Sequence, residues 1–111
     1  MRIAVTYDNE NVYEHFGHAK QIKIYDCEDG KITASKVMAT MCSGHGSMAG
    51  LLKVIGTNAL ICGCIGGGAK VALSKAGIEV YAGVEGSADA AVEAFLEGKL
   101  NFNPDVKCDH H

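Results

Sequence analysis

The sequence lacks the features that point to a membrane or to a nucleic acid. No apolar run approaches the roughly 20 residues that span a bilayer, and no basic segment followed by an apolar one opens the chain. The formal net charge is −3, and no cluster of lysine and arginine offers a surface for phosphates. We therefore expect no membrane and no nucleic-acid partner, and we expect a cytoplasmic location.

Common enzyme motifs are missing as well. The glycine-rich turn from Gly63 to Gly68 has the glycine spacing of a phosphate-binding loop but not the Lys-Ser/Thr pair that ends one. Ala69 stands before Lys70, and no serine or threonine follows the lysine. It also misses the dinucleotide fingerprint, since Val71 stands where the last small residue belongs. Cys62 and Cys64 form C-x-C, whereas thiol oxidoreductases typically carry C-x-x-C. These absences argue against an enzyme.

The chain does have an ordinary globular composition with many cysteines. Its 111 residues are 48% hydrophobic and 21% charged, which suits one domain with a real core. In a reducing compartment its five cysteines are thiols that can bind metal or react with oxidants. Free cysteines are also common as small buried hydrophobes, and Cys27, between two acidic residues, fits that role best.

Hydrophobic periodicity predicts an α/β domain over residues 1–98. Alternating patterns predict five strands, at residues 2–7, 21–27, 31–39, 59–62 and 78–82. Helical spacing predicts three helices, and Ser87 is the expected N-cap of the third. Asp29-Gly30 is typical of a tight hairpin turn, and Gly77 is typical of the residue that ends a helix.

The order of these elements predicts a five-stranded mixed sheet. An antiparallel meander comes first and two βα units follow, so the first, fourth and fifth strands should be parallel neighbours with helices on both faces. Residues 99–111 form a polar segment that we expect to be a flexible tail.

Three segments with metal-ligating residues converge on the carboxyl edge of this sheet, where ligands of open α/β sheets bind. They are the loop with His15 and His18, the C-x-x-H pair Cys42 and His45, and the turn Cys62 to Gly68. Thiolates and imidazoles bind soft metals, and glycine N–H groups at a helix start favour an anion. The predicted metal ligands are Cys42, His45, Cys62, Cys64 and His18.

Several of these positions have two interpretations. His15 and His18 are either ligands or exposed loop residues. Cys62 and Cys64 share one face in a straight strand, whereas a turn at Gly63 would separate them. The chain ends with Cys108, Asp109, His110 and His111. These residues are either a metal-binding tail or include histidines that are foreign to the natural chain, and the sequence does not decide between the two.

Three motifs, in this order and spacing, resemble the dinitrogenase iron–molybdenum cofactor biosynthesis family. They are His15-Phe16-Gly17, Ile61 to Ala69, and Ala76 to Tyr81. That family includes NifX-like carriers, the C-terminal domain of NifB-like proteins, and the orange protein with its molybdenum–copper sulfide cluster. The resemblance implies a ribonuclease-H-like fold and a non-enzymatic role in binding or carrying metal–sulfur clusters.

The resemblance also assigns residues and shows where the chain departs from the family. It implies that His15 and the glycine turn contact the cluster; with the neighbouring glycines, the expected cradle is His15, Gly17, Gly44, Gly63, Gly66, Gly67 and Gly68. The family typically has small residues or glycine where this chain has Cys62 and Cys64. The C-x-x-x-C-x-x-C motif of the synthesising radical enzyme is absent.

The sequence thus predicts a carrier of an anionic iron–sulfur or molybdenum-containing cluster, with cluster donor and acceptor proteins as partners. Two other functions stay open. One is a simple zinc- or iron-binding or redox-sensing module that uses Cys42, His45 and the C-x-C pair. The other is a protein–protein adaptor in which the cysteines only pack.

Overall fold

The computed structural model describes residues 1–40 and 48–103. Its regular elements are β1 (Arg2–Asp8), β2 (Asn11–Val12), a 3-10 turn (Phe16–His18), β3 (Gln21–Glu28), β4 (Lys31–Ala39), α1 (Met48–Val54), β5 (Ala59–Ile61), α2 (Gly67–Lys75), β6 (Glu79–Tyr81) and α3 (Ala88–Leu96). No helix in these two ranges is both long and apolar enough to cross a membrane.

The strands form one mixed sheet in the order β4-β3-β1-β5-β6, with β2 paired to β1. The strands β1, β5 and β6 are parallel neighbours, and β3 pairs antiparallel with both β1 and β4. This confirms the predicted mixed α/β sheet with three helices. The predicted strand number was wrong, because the described residues form six strands instead of five. The ribonuclease-H-like assignment stays a prediction.

The strand that the sequence did not indicate is β2. It contains only Asn11 and Val12, and it folds back on β1 because Asn9 and Glu10 both have positive φ, 49° and 73°. Backbone bonds to a distant segment hold it: the Val12 N–H donates to the Gly86 carbonyl at 2.8 Å. A two-residue strand fixed by such tertiary contacts leaves no periodic signal in the sequence.

Helices cover both faces of the sheet, as predicted. One core cluster joins β1 and β3 to α3 through residues such as Val5, Tyr25 and Val92. The other packs Leu52 of α1 and Leu73 of α2 against the opposite face. Each face buries side chains completely, so the central strands are fixed from both sides.

The helix α3 is tied to β3 by a polar contact at its first turn. The Tyr25 hydroxyl donates to Asp89 Oδ1 at 2.5 Å, and Lys23 Nζ donates to the same oxygen at 2.9 Å. These two bonds hold the pKa of Asp89 below its usual range, while burial raises the pKa of Tyr25.

Local signals read from the sequence are present where they were expected. The Ser87 side chain caps α3 by accepting from the Ala90 N–H at 3.2 Å. Asp29 and Gly30 both have positive φ, and so does Gly77 after α2. By contrast, the first residues of the predicted tail contact the domain: Leu100 packs on a core cluster, and the Phe102 ring lies 4.9 Å from that of Tyr81.

Candidate metal centre

A cavity of about 890 Å³ opens at the carboxyl edge of the parallel strands. Its walls come from the segments that follow β1, β5 and β6, together with the segment beyond α3. The described residues that line it are Asp8, Asn9, Asn11, Val12, Tyr13, Glu14, His15, Gly63, Cys64, Gly83, Val84, Glu85, Gly86 and Asn103. The sequence placed the ligand site at this edge, and the cavity lies there.

The segment that carries His15 is anchored on both sides of the histidine. Before it, Thr6 and Tyr13 bond reciprocally: Thr6 Oγ1 donates to the Tyr13 carbonyl at 3.0 Å, and the Tyr13 N–H donates to the Thr6 carbonyl at 2.8 Å. After it, Phe16 is only 5% exposed and packs in the core cluster beneath α1 and α2. The histidine is therefore held between a hydrogen-bonded residue and a buried one.

This segment also runs parallel to the turn after β5. The Cys64 N–H donates to the Glu14 carbonyl at 2.6 Å, and the Phe16 N–H donates to the Cys64 carbonyl at 3.0 Å. Gly63 makes the approach possible, because a Cβ at that position would lie 2.5 Å from the Glu14 carbonyl oxygen. These backbone bonds bring the histidine and the cysteine side by side.

The resulting pair is His15 and Cys64, with Nδ1 and Sγ 3.1 Å apart and both residues half-buried. The His18 ring lies next to it, with its centroid 5.8 Å from that of His15. Cys64 is disulfide-bonded in this structure. Among residues 1–40 and 48–103, no three histidine, cysteine or acidic side chains are arranged to hold a metal ion together.

Cys62 lies in a different environment from Cys64. The chain turns at Gly63, and the Cys62 side chain is fully buried in the core cluster with Leu73 and Ile65. Burial raises the pKa of its thiol to about 12. Both observations argue against the prediction that Cys62 is a metal ligand.

The remaining predicted residues are spread over the same edge. Gly66 is the N-cap of α2, and Gly67 and Gly68 are its first residues. Gly17 belongs to the 3-10 turn beside His18, outside the cavity wall. The predicted contacts at Cys42, Gly44 and His45 lie outside the described residues.

The cavity wall contains acidic residues that the predicted ligand set did not include. Asp8, Glu14 and Glu85 line the cavity, and none of the described residues in the wall is lysine or arginine. Glu85 could have been found, because it follows β6 at the edge where the other ligand segments end. This charge distribution favours a positively charged ligand group inside the cavity.

A comparison with known proteins decides the family. The model of the family described as dinitrogenase iron-molybdenum cofactor matches residues 1–98. The chain belongs to this family. The resemblance read from the three sequence motifs is therefore confirmed.

Relatives across the family match over almost their whole length. The uncharacterized protein MJ0580 of Methanocaldococcus jannaschii is 33% identical, over 90% of this chain and 89% of that one. The crystal structure of PH0822 has a TM-score of 0.86 at 28% identity, covering 95% of this chain and 96% of that one. The apo orange protein of Desulfovibrio gigas has a TM-score of 0.77 at 28% identity, covering 96% of both chains.

In a member of the iron–molybdenum cofactor family, a histidine–cysteine pair can serve two kinds of chemistry. It can ligate a soft metal, or the histidine can activate the thiol as a nucleophile. The Glu14 carboxylate lies 4.0 Å from His15 Nε2, which is too far for a hydrogen bond, and the Glu14 side chain is 79% exposed.

Proposed function

We propose that this protein binds and carries a metal–sulfur cluster, without catalysing a reaction, and that His15 and Cys64 ligate its metal. The observation that carries the proposal is their 3.1 Å separation in a cavity at the carboxyl edge of the sheet. Membership of a family described by an iron–molybdenum cofactor supports it. Cluster donor and acceptor proteins are then the expected partners.

The distances in the pair suit a soft metal after a small adjustment. A tetrahedral metal with bonds of about 2.0 Å to nitrogen and 2.3 Å to sulfur holds the two atoms about 3.5 Å apart. The observed 3.1 Å is about 0.4 Å shorter, so the two atoms would have to move apart by that amount to share a metal. Imidazole and thiolate together suit zinc, copper and iron.

Binding through Cys64 requires its reduced form. The residue is disulfide-bonded in this structure, and reduction of that bond by two electrons releases two thiols. The predicted cytoplasmic location supplies thiol reductants. We therefore expect metal uptake only after reduction.

The glycine turn gives a reason why the cargo contains sulfide. Gly66, Gly67 and Gly68 open α2, where backbone N–H groups and the helix dipole favour negative charge. Hydrogen bonds from N–H groups to cluster sulfides are a common way for a protein to stabilise such a cluster. The N–H groups of this turn would hydrogen-bond the cluster sulfides, and Gly66, Gly67 and Gly68 are not among the residues that line the cavity.

One observation favours a second function, simple binding of a divalent cation such as zinc or iron. Asp8, Glu14 and Glu85 line the cavity, and their negative charge attracts a bare cation more strongly than an anionic cluster. The two functions differ in sulfide content, which makes them separable by analysis.

Substitution of either ligand should impair loading. The protein is reduced and then reconstituted, without oxygen, with ferrous iron and sulfide. We expect His15→Ala and Cys64→Ser each to lower the metal affinity at least ~10-fold, because loss of a residue that only supports a ligand already has an effect of this size. Cys27→Ser is the matched control, because Cys27 is buried between antiparallel strands far along the sheet. Equal loading of all three variants would exclude the His15–Cys64 pair as the site.

A further inference from the structure

The backbone N–H groups around Cys64 are already bonded within the fold. The Gly63 N–H donates to the Tyr13 carbonyl at 3.3 Å, and the Cys64 N–H donates to the Glu14 carbonyl at 2.6 Å. The Gly83 N–H donates to the Gly63 carbonyl at 2.7 Å. The glycines that open α2 are not among the described residues that line the cavity. A sulfide beside Cys64 therefore depends on side chains for its hydrogen bonds.

The cavity wall carries amide side chains as uncharged donors. Among the described residues that line it, none is lysine or arginine, and three are asparagine: Asn9, Asn11 and Asn103. A carboxamide has two N–H donors and one acceptor oxygen and no net charge. One N–H can therefore contact a sulfide while the rest of the group keeps partners in the protein. These amides suit an anionic cargo in a wall that is otherwise acidic.

Asn103 is the amide that is held against the turn carrying Cys64. It lies over Gly83, where an added Cβ would meet the Asn103 Cβ at 2.7 Å, and Gly83 is bonded in turn to Gly63. This approach depends on glycine at position 83, which also has a positive φ of 77°. The other two amides belong to the hairpin of β1 and β2, which is bonded to the segment before α3.

The backbone of Asn103 is fixed before any cargo binds. Its N–H donates to the carbonyl of the fully buried Ala82 at 2.7 Å. Just before it, the Phe102 ring packs edge-on against Tyr81 with the centroids 4.9 Å apart, and Leu100 packs on a core cluster. A donor on such a fixed backbone loses little conformational freedom when the cargo binds.

Resting on the proposed function, we infer that the Asn103 carboxamide donates a hydrogen bond to a sulfide of the bound cluster and thereby selects the anionic cluster over a bare cation. A hydrogen bond to a charged acceptor is stronger than one between neutral groups, and such bonds to sulfur tune clusters in proteins. A bare cation gains nothing from an N–H donor. Asn103 thus acts on cargo specificity in the opposite direction to the acidic residues of the wall.

Two substitutions at position 103 test this inference in the full, reduced chain, reconstituted without oxygen with ferrous iron and sulfide. Asn103→Leu removes the donor at a similar size, and Asn103→Asp also adds a negative charge. We expect a chelator to remove the cluster at least ~10-fold faster from both variants than from the wild type, since each loses a hydrogen bond to a charged group. The zinc affinity, measured by competition with a colorimetric chelator, should be unchanged in Asn103→Leu and equal or higher in Asn103→Asp.

Asn101→Asp is the matched control. It adds the same charge to the same segment, at an exposed residue that is not among the described residues lining the cavity, and it should keep its cluster like the wild type. Wild-type cluster loss in both variants at position 103 would overturn the role of Asn103 and leave the proposed function intact.

Three other results would also contradict the inference. An effect of Asn103→Asp without one of Asn103→Leu would assign the effect to charge and not to the hydrogen bond. Parallel weakening of cluster and zinc binding would show that Asn103 only supports the fold. Absence of a cluster in the reconstituted wild type would remove both this inference and the proposed function.

Discussion

Replacing Gly63 by alanine should lower the free energy of unfolding by about 1–3 kcal/mol and weaken metal binding at least ~10-fold. The new Cβ would lie 2.5 Å from the Glu14 carbonyl oxygen and 2.6 Å from its Cα, and neither backbone atom can move aside without shifting His15. The change thus separates the two ligands as well as straining the turn. Urea denaturation measures the first effect, and metal titration of the reduced protein measures the second.

Gly68→Ala is the control for stability. A Cβ there meets nothing within 4 Å, and the residue lies in the first turn of α2. Because alanine favours a helix more than glycine does, this variant should gain up to about 1 kcal/mol. Gly63→Ala and Gly68→Ala should therefore change the free energy of unfolding in opposite directions. A Gly63→Ala protein with wild-type stability and affinity would show that the His15 segment is not fixed by this contact.

Among the described cysteines, iodoacetamide should modify Cys64 first and Cys62 last in the reduced, metal-free protein. The thiolate is the reacting form, and a thiol with a pKa of about 12 is roughly 10⁻⁴ ionised at pH 8, against about a quarter for an ordinary thiol. Cys62 is also fully buried, whereas Cys64 lies half-buried in the cavity wall. We expect Cys62 to react at least ~10³-fold more slowly than an ordinary thiol, measured by peptide mass spectrometry.

Two comparisons make the labelling result specific. In concentrated urea the thiols should react at similar rates, since the differences come from folding. Bound metal should slow the labelling of Cys64 alone among the described cysteines. If Cys64 reacts no faster than Cys27, which is buried and whose pKa burial raises, the turn after β5 is not the metal site.

Much of the fold is predictable because its signals are local. Asp29-Gly30, Ser87 and Gly77 each act within a few residues, and each has the conformation that its sequence indicates. Alternation of apolar and polar residues along β3 and β4 predicted the antiparallel pair, and short apolar runs predicted the parallel strands. The strand β2 was missed because its pairing depends on Gly86, which lies 74 residues beyond Val12 in the chain.

The site was predictable only in part for the same reason. Periodicity predicted the ligand edge, residue type put Cys64 among the predicted metal ligands, and the family resemblance implied His15 as a cluster contact. Their contact depends on parallel backbone bonds between two segments 49 residues apart, and the sequence shows only the glycine that permits them. Whether Cys62 faces the same site as Cys64 depends on the turn at Gly63, and the spacing of the two cysteines does not predict that turn. The position of Asn103 in the wall follows from tertiary packing and has no sequence signal.

The central claim, that this chain carries a metal–sulfur cluster, is tested most directly by the metal and acid-labile sulfide content of protein purified without oxygen, read with its visible absorption spectrum. We predict stoichiometric metal, stoichiometric sulfide and visible charge-transfer bands. Stoichiometric metal in a colourless protein without sulfide would contradict the cluster and indicate simple zinc binding. Absence of both metal and sulfide would contradict metal binding altogether and leave the adaptor function.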